Sequence, residues 1–292
     1  MIALQKKATL FKKIREFFDV QGLTEVQTPS LLNTPTTDVY IDSIAIATNQ
    51  EIGQNTCKYL HTSPELEMKK LLSQGSGDIY QICQVFRDNE IGERNFNEFT
   101  LLEYYRLDFN IHQLMSDISA LLRHLGIYDE VVKMSYAQAF SQFGKIDILN
   151  IDFESLKCIA LTHDLNIDFE WIEDLQMLLF VHLVEPCLKD LPVCFIYDYP
   201  SEQSALARVD GRIAHRFELY LLGVEVGNGY DELQSAKSYQ QVFALENTKR
   251  QQINKPSFEL DLEFLACLEK PLPKCSGVAI GIERLASQLF AT

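Results

Sequence analysis

Three glutamates, Glu218, Glu225 and Glu232, recur at seven-residue steps along the stretch from Arg216 to Glu232. Glu218 and Glu225 fall on the two arms of a hairpin that turns near Gly223, so they face each other directly or sit one diagonal apart. Two carboxylates so placed repel each other unless a cation lies between them, and oxygen ligands of this kind suit magnesium. Apolar residues flank both, which fits a solvated acidic strand poorly. Glycines 223, 227 and 229 let the backbone approach a ligand closely.

A second polar group lies upstream. In Glu98-Phe-Thr-Leu-Leu-Glu-Tyr-Tyr105 the two-residue period of a strand puts Phe99, Leu101, Glu103 and Tyr105 on one face. A carboxylate between apolar neighbours is costly to bury unless it is paired. On the preceding strand Arg87 shares a face with Val85 and Cys83. Arg87 and Glu103 are then either a merely structural ion pair or, with Tyr105, a polar constellation on a rigid sheet of the kind an active site needs. Thr62-Ser-Pro-Glu65 reads as a helix start, with Ser63 or Thr62 as N-cap and Pro64 near the first position. Near the C-terminus, Gly277 and Gly281 with Arg284 just inside a helix suggest close backbone approach to a nucleotide and a cation aimed at phosphate.

The elements that must position these residues follow from periodicity. Leu4, Ala8, Phe11, Ile14 and Phe18 mark an amphipathic helix over about 4–20, closed by Gly22 and followed by a strand from Thr24 to Thr28 that stops at Pro29. Ile79 to Arg87 and Glu98 to Arg106 form a long-looped antiparallel hairpin. A helical stripe runs over 111–125, with Asn110 as N-cap and Gly126 just past its end. About 130–190 is mostly helical and carries no evident chemistry. Strands return at Val193 to Tyr197, Ala214 to Leu222 and Val224 onward, helices at 236–252 and 259–268, then a strand Gly277 to Ile282 and a helix from Glu283. Antiparallel pairs interleaved with helices predict an α+β fold, an antiparallel sheet flanked by helices, whose short turns leave no room for βαβ crossovers.

Composition narrows the partners. The 292 residues, 47% apolar, suit one large or two modest domains. With 41 acidic against 26 basic residues, the formal charge of −15 works against general adhesion to nucleic acid or anionic membranes. The densest apolar run, Met177 to Val184, is far short of a bilayer span, and the N-terminus turns charged too early for a signal peptide, so a cytoplasmic protein is expected. Seven cysteines contain no C-x-x-C pair, six histidines show no metal spacing, and neither a G-x-S-x-G nor a P-loop motif is present.

In order, these pieces resemble the catalytic core of the class II aminoacyl-tRNA synthetases, the lysyl branch in particular. The first helix, strand and Pro29 resemble motif 1. Val85-Phe-Arg87 through Glu98-Phe-Thr-Leu-Leu-Glu-Tyr-Tyr105 resembles motif 2, and Gly277-Val-Ala-Ile-Gly-Ile-Glu-Arg284 resembles motif 3. Glu225-Val-Gly-Asn-Gly-Tyr-Asp-Glu232 is similar to the lysine-pocket segment of that branch. A lysyl-tRNA synthetase carries an oligonucleotide-binding barrel of roughly 100 residues or more before this core, whereas here motif 1 begins near residue 4. The resemblance is therefore nearer to the truncated paralogues that join (R)-β-lysine to a lysine side chain of elongation factor P. Asp88-Asn-Glu90 after Arg87 is more similar to that group than to the synthetase R-x-E, and Ala279 stands where the synthetase motif has glycine. The loop Asn95-Phe-Asn-Glu-Phe99 departs from the usual H-N-P-E-F.

The resemblance implies ATP and Mg2+. Arg87 would bind the α-phosphate, Phe99 and Arg284 would sandwich the adenine, and Arg284 would reach the γ-phosphate, these two arginines being the catalytic pair. Asp88, Asn89, Glu90, Val226 and Gly281 would complete the nucleotide site, and Glu218 and Glu225 would hold the metal. Glu232 and Tyr105 would receive the ε-ammonium of a lysine-like substrate, with Ser63, Pro64, Glu65 and Glu103 around the other amino group and Asn228 and Ala279 lining the pocket. It also implies one catalytic core over 1–292 with a helical insert at about 130–190 and no anticodon-binding domain, a homodimer built through motif 1, elongation factor P as protein substrate, and no tRNA, DNA or membrane partner. Two other readings stay open from sequence: a non-catalytic, synthetase-like binding or regulatory paralogue, and lysyl-type aminoacylation of another acceptor.

Overall fold

A computed structural model describes residues 4–48, 56–90, 92 and 96–290. Its first helix, α1 (Leu4–Gln21), buries Leu10, Ile14, Phe17 and Phe18 and ends at Gly22, whose φ of +76° suits a residue without a side chain. β1 (Thr24–Glu25) is shorter than the expected 24–28 strand: beyond it the Thr28 amide turns to the Gln81 side chain, at 3.1 Å. β2 (Leu31–Leu32), β3 (Ala45–Thr48) and β4 (Thr56–Leu60) make a small separate sheet, followed by α2 (Glu65–Ser73). The expected hairpin is present as β5 (Ile79–Phe86) and β6 (Glu98–Leu107), paired from Ile79 with Tyr105 to Phe86 with Glu98. α3 (Ile111–Leu125) starts in a capping box between Asn110 and Gln113 and ends at Gly126, with φ +110°.

The next segment departs from expectation. β7 (Val131–Ser135) is a strand, and after α4 (Tyr136–Ala139), α5 (Phe153–Thr162) and α6 (Ile172–Leu179) the chain returns as β8 (Val193–Pro200), parallel to β7. β9 (Val209–Asp210), β10 (Ile213–Leu221), β11 (Val224–Asp231), α7 (Ala236–Gln252), α8 (Leu262–Cys267), β12 (Cys275–Gly281) and α9 (Ile282–Leu289) complete it. The main sheet runs β1-β5-β6-β12-β11-β10-β8-β7, with β9 on β10. It is mostly antiparallel, but β1 with β5 and β7 with β8 are parallel. The expectation that crossovers have no room is thus corrected: the long connections over 26–78 and 136–192 are themselves the crossovers.

Alternation along the central strands sorts the two faces. Leu102, Tyr104, Phe217 and Val278 pack beneath α1, α3 and α9 with Ile14, Phe18, Leu114, Ile118 and Leu285, and Phe18 stacks on Tyr80 with centroids 4.6 Å apart. A second core gathers Tyr136, Phe140, Leu175, Leu179 and Phe180 of the insert against Ile196 and Tyr220, and a third lies beneath α2, α7 and α8 around Met68, Tyr239 and Phe264. No helix among the described residues is long and apolar enough to cross a membrane. Phe18 is wholly buried, so Phe18→Ala is expected to destabilise the chain by about 3–5 kcal/mol, while Val20→Ala on the exposed face of α1 stays within about 0.5 kcal/mol. Urea denaturation of both variants measures the difference.

Candidate active site

The sheet face opposite α1, α3 and α9 forms a cleft of about 620 Å³, within the size range of small-molecule sites. Strand register sets its floor. Glu103, Ala279, Asn228 and Glu218 are successive cross-strand partners on β6, β12, β11 and β10. Two residues along, Tyr105, Gly277, Tyr230 and Arg216 form a parallel row. Directly paired residues point to the same side of a sheet, so both rows face the cleft. Gly277 is required by its neighbours: a Cβ there would lie 2.3 Å from the Tyr105 ring and 2.8 Å from Glu232 Oε1.

One end of the cleft is cationic. Arg87, Arg216 and Arg284 all line it. Arg87 Nε donates to the Thr62 carbonyl at 3.4 Å, and its guanidinium lies over the Phe99 ring at 5.1 Å. Arg284 Nη1 donates to the Glu225 carbonyl at 3.1 Å and lies 3.4 Å from Glu225 Oε2. Arg216 donates to Asn228 Oδ1 and to the Gln203 carbonyl and pairs with Glu218, while Tyr220 donates to the other Glu218 oxygen at 2.6 Å. Burial works against the Arg216 charge, but Glu218, Tyr230, Tyr199 and Glu225 together outweigh it and hold the guanidinium above its ordinary pKa.

Glu218 and Glu225 are diagonal, not opposite, because a register shift at Leu219/Tyr220 pairs Glu218 with Asn228 and Tyr220 with Glu225. Burial and the nearby Glu218 push Glu225 up to about 7 against the pull of Arg284, Arg216 and Arg87. Among the described residues no three His, Cys, Asp or Glu side chains gather as a metal set. The two carboxylates offer the oxygen ligands that suit Mg2+ and would hold it here.

The other end is anionic. Glu103 is buried, accepting from Ser63 Oγ at 2.7 Å and Tyr105 Oη at 2.6 Å, so it is not ion-paired with Arg87, one of the two options the sequence left open. Ser63 Oγ also accepts from the Glu65 amide, which fixes the start of α2, with Pro64 in the cap position behind the cleft wall. Glu65 and Glu232 share a buried cation, Lys69, at 2.6 Å each. Tyr105 thus serves Glu103 and not Glu232. Burial pushes Glu103 up to about 7 and Glu232 up to about 8, with Glu65 adding to both and Lys69 opposing.

Most of the expected site residues meet in this one cleft, which Glu90, Val226 and Gly281 also line. Asp88, Asn89, Pro64 and Glu218 do not line it, Glu218 being on the cleft side of the sheet but taken up by Arg216 and Tyr220. Asp88 is diverted because its amide bonds to the Asp42 carbonyl at 2.8 Å, and Asn89 turns away with φ +61°. Asn95 lies outside the described residues, while Phe96 lines the cleft and Asn97 accepts from the Arg87 amide. Sequence reasoning missed Lys69, Arg216, and the wall formed by residues 34–43 with Glu246 of α7. Lys69 carried a signal: it stands four residues after Glu65, on the same helix face.

A family model described as tRNA synthetases class II (D, K and N) matches residues 2–292, and the chain belongs to this family. Among curated proteins it is 40% identical over 286 residues to a protein of Haemophilus influenzae named elongation factor P–(R)-β-lysine ligase, covering 96% of this chain and 88% of that one. Proteins of the same name from Edwardsiella ictaluri and Proteus mirabilis are 39% and 40% identical over 292 residues, covering 97% of this chain and 89% of theirs.

The buried carboxylates give the ligand-free chain a pH dependence. Glu103, Glu225 and Glu246 are raised to about 7 and Glu232 to about 8, in each case first by burial. The folded state then binds more protons than the unfolded state above the ordinary carboxylate range, so stability falls as pH rises through 7 to 8. His61, lowered by burial, works in the other direction, one group against four. The melting temperature without ligands is expected to be lower at pH 8 than at pH 6, with about 1–2 kcal/mol of stability lost for each of the buried Glu103 and Glu232 and less for the partly exposed Glu225 and Glu246. A flat or rising trend in a melting series would contradict the burial of these groups.

Proposed function

We propose that the chain is an AMP-forming ligase that activates (R)-β-lysine with ATP and transfers the β-lysyl group to a lysine side chain of elongation factor P; its relatives are named elongation factor P–(R)-β-lysine ligases. The observation that carries this reading is a single cleft with three guanidinium groups at one end and a surplus of buried carboxylates at the other. A triphosphate needs the first and a diamino acid the second.

Arg87 and Arg284 neutralise phosphate oxygens so that an anionic substrate carboxylate can approach the α-phosphorus. The carboxylate oxygen attacks that phosphorus, pyrophosphate leaves, and an aminoacyl-adenylate forms. The Phe99 ring supplies an apolar surface for the base. Glu218 and Glu225 would hold Mg2+, which when bound spreads the charge developing on the phosphates. At the other end Glu232, Glu65 and Glu103 take the substrate ammonium groups in charge-assisted bonds that neutral side chains of similar length cannot reproduce. In the second step the acceptor amine, having lost a proton, attacks the adenylate carbonyl carbon and AMP departs. A translation factor as substrate places the reaction in the cytoplasm, and a homodimer is the assembly we expect from the motif 1 region.

ATP–pyrophosphate exchange with (R)-β-lysine, followed by the mass of elongation factor P, tests the whole reading. Exchange and a gain of one lysyl mass are expected. No exchange with any lysine isomer at saturating Mg2+ would leave a binding module instead. Arg87→Ala is expected to lower exchange by about 10²–10³-fold, the scale for removing one charge-stabilising donor. Glu232→Gln is expected to abolish preference for lysine-type substrates, and an unchanged preference would sink the pocket assignment.

A further inference from the structure

Lys69 is a charged group that no step of the reaction above uses. Its side chain is wholly buried on α2, where an ammonium costs several kcal/mol unless it is paired. The Nζ atom lies 2.6 Å from Glu65 Oε1, 2.6 Å from Glu232 Oε2 and 5.3 Å from the Tyr239 ring centroid. Burial opposes its charge, but Glu232 and Glu65 outweigh burial and hold its pKa well above the ordinary value. Lys69 therefore stays an ammonium at every working pH.

The charge count then has a consequence for the ligand. Glu65, Glu103 and Glu232 bring three carboxylates to this end of the cleft, and Lys69 brings one cation. Once all three are ionised two negative charges remain, matching a substrate with two ammonium groups. The geometry agrees: Lys69 takes Oε2 of Glu232, while Oε1 lies beside Gly277, where the missing side chain leaves room.

We infer that Lys69 is a positioning residue for substrate recognition: it clamps one oxygen each of Glu65 and Glu232 and supplies their counter-charge, which presents the second Glu232 oxygen to an incoming ammonium. This rests on the ligase reading above. The groups facing Glu232 are Lys69 and Glu65 on α2, Glu103 and Tyr105 on β6, Tyr230 on β11, Tyr239 on α7 and Cys275 on β12. The adjoining Asp231 is occupied by Arg208 at 3.0 Å. Lys69 is thus the cation within this set, and the carboxylates Glu65 and Glu103 oppose it.

The test is the pH profile of KM for (R)-β-lysine in pyrophosphate exchange. In the wild type, KM should fall as pH rises and the pocket carboxylates ionise. Lys69→Gln keeps hydrogen-bonding capacity but removes the charge. It should raise KM for the amino acid at pH 7 by about tenfold or more, the scale of a charge-assisted hydrogen bond, and move the profile's midpoint to higher pH, with KM for ATP within about twofold. An unchanged midpoint, or a KM increase equal at every pH, overturns the inference, because lost packing alone does not titrate. Glu65→Gln serves as a second variant should Lys69→Gln not fold. It leaves Lys69 to Glu232 and removes a repelling charge, so its midpoint should move to lower pH, and a midpoint fixed or raised is equally fatal. A wild-type protein that exchanges pyrophosphate with no lysine isomer removes the ligase reading, and this inference with it, before any variant is compared.

Discussion

Charge of both signs is buried in one cleft and is not balanced within either end. Burying an isolated ion is among the costliest steps in folding, and even a well-made pair is weak evidence of stabilisation. Here Glu103 shares its pocket with Glu65 and Glu232 against one cation, Lys69, while the other end sets three guanidinium groups against Glu218 and Glu225. Such an arrangement persists only if the rest of the fold is stable enough to hold it, and the three hydrophobic cores around the cleft provide that support. A ligand carrying phosphates at one end and ammonium groups at the other supplies the missing partners at both.

Strand register converts this chemistry into geometry. The residues that face the cleft come from β6, β12, β11 and β10, strands far apart in sequence but adjacent in the sheet, so their spacing is fixed by backbone hydrogen bonds. Small residues in β12 keep the middle of the floor open. Gly277 leaves the space that the Tyr105 ring and Glu232 occupy, and Ala279 separates Glu103 from Asn228. The bulge at Leu219/Tyr220 offsets Glu218 from Glu225, which lets Glu218 pair with Arg216 while Glu225 lines the cleft.

Much of this could be read from residue order because local rules govern it. The two-residue period located Glu103 and Tyr105 on the cleft face, the stripe and caps located α3, and Gly223 located the β10–β11 turn. What escaped was set by long-range pairing. β7 is five residues of ordinary strand character whose identity depends on pairing with β8 across the insert. Arg216 looked like one more residue of an acidic strand until the register placed it beside Tyr230. Lys69 reads as a surface helix residue, and only the approach of Glu232 from the end of β11 shows that it is buried. The resemblance groups Asp88 and Asn89 with Arg87, but the Asp88–Asp42 backbone bond and the positive φ of Asn89 carry both off the cleft.

The wall opposite the sheet shows the same dependence on distant contacts. Residues 34–43 have few backbone partners of their own and are held by side chains from later in the chain. Thr37 donates to Glu246 at 2.5 Å, and Arg250, wholly buried, donates to the Asp38 carbonyl and to Asp42. Lys255 reaches Val39 and Asp42, and Tyr40 donates to Asp174 of α6 at 2.6 Å. α7 and the insert therefore meet through this segment, and α6 also brings Met177 to the cleft. The floor is rigid because β-ladders define it. The wall holds its shape only while the side chains of α6 and α7 stay in register with it.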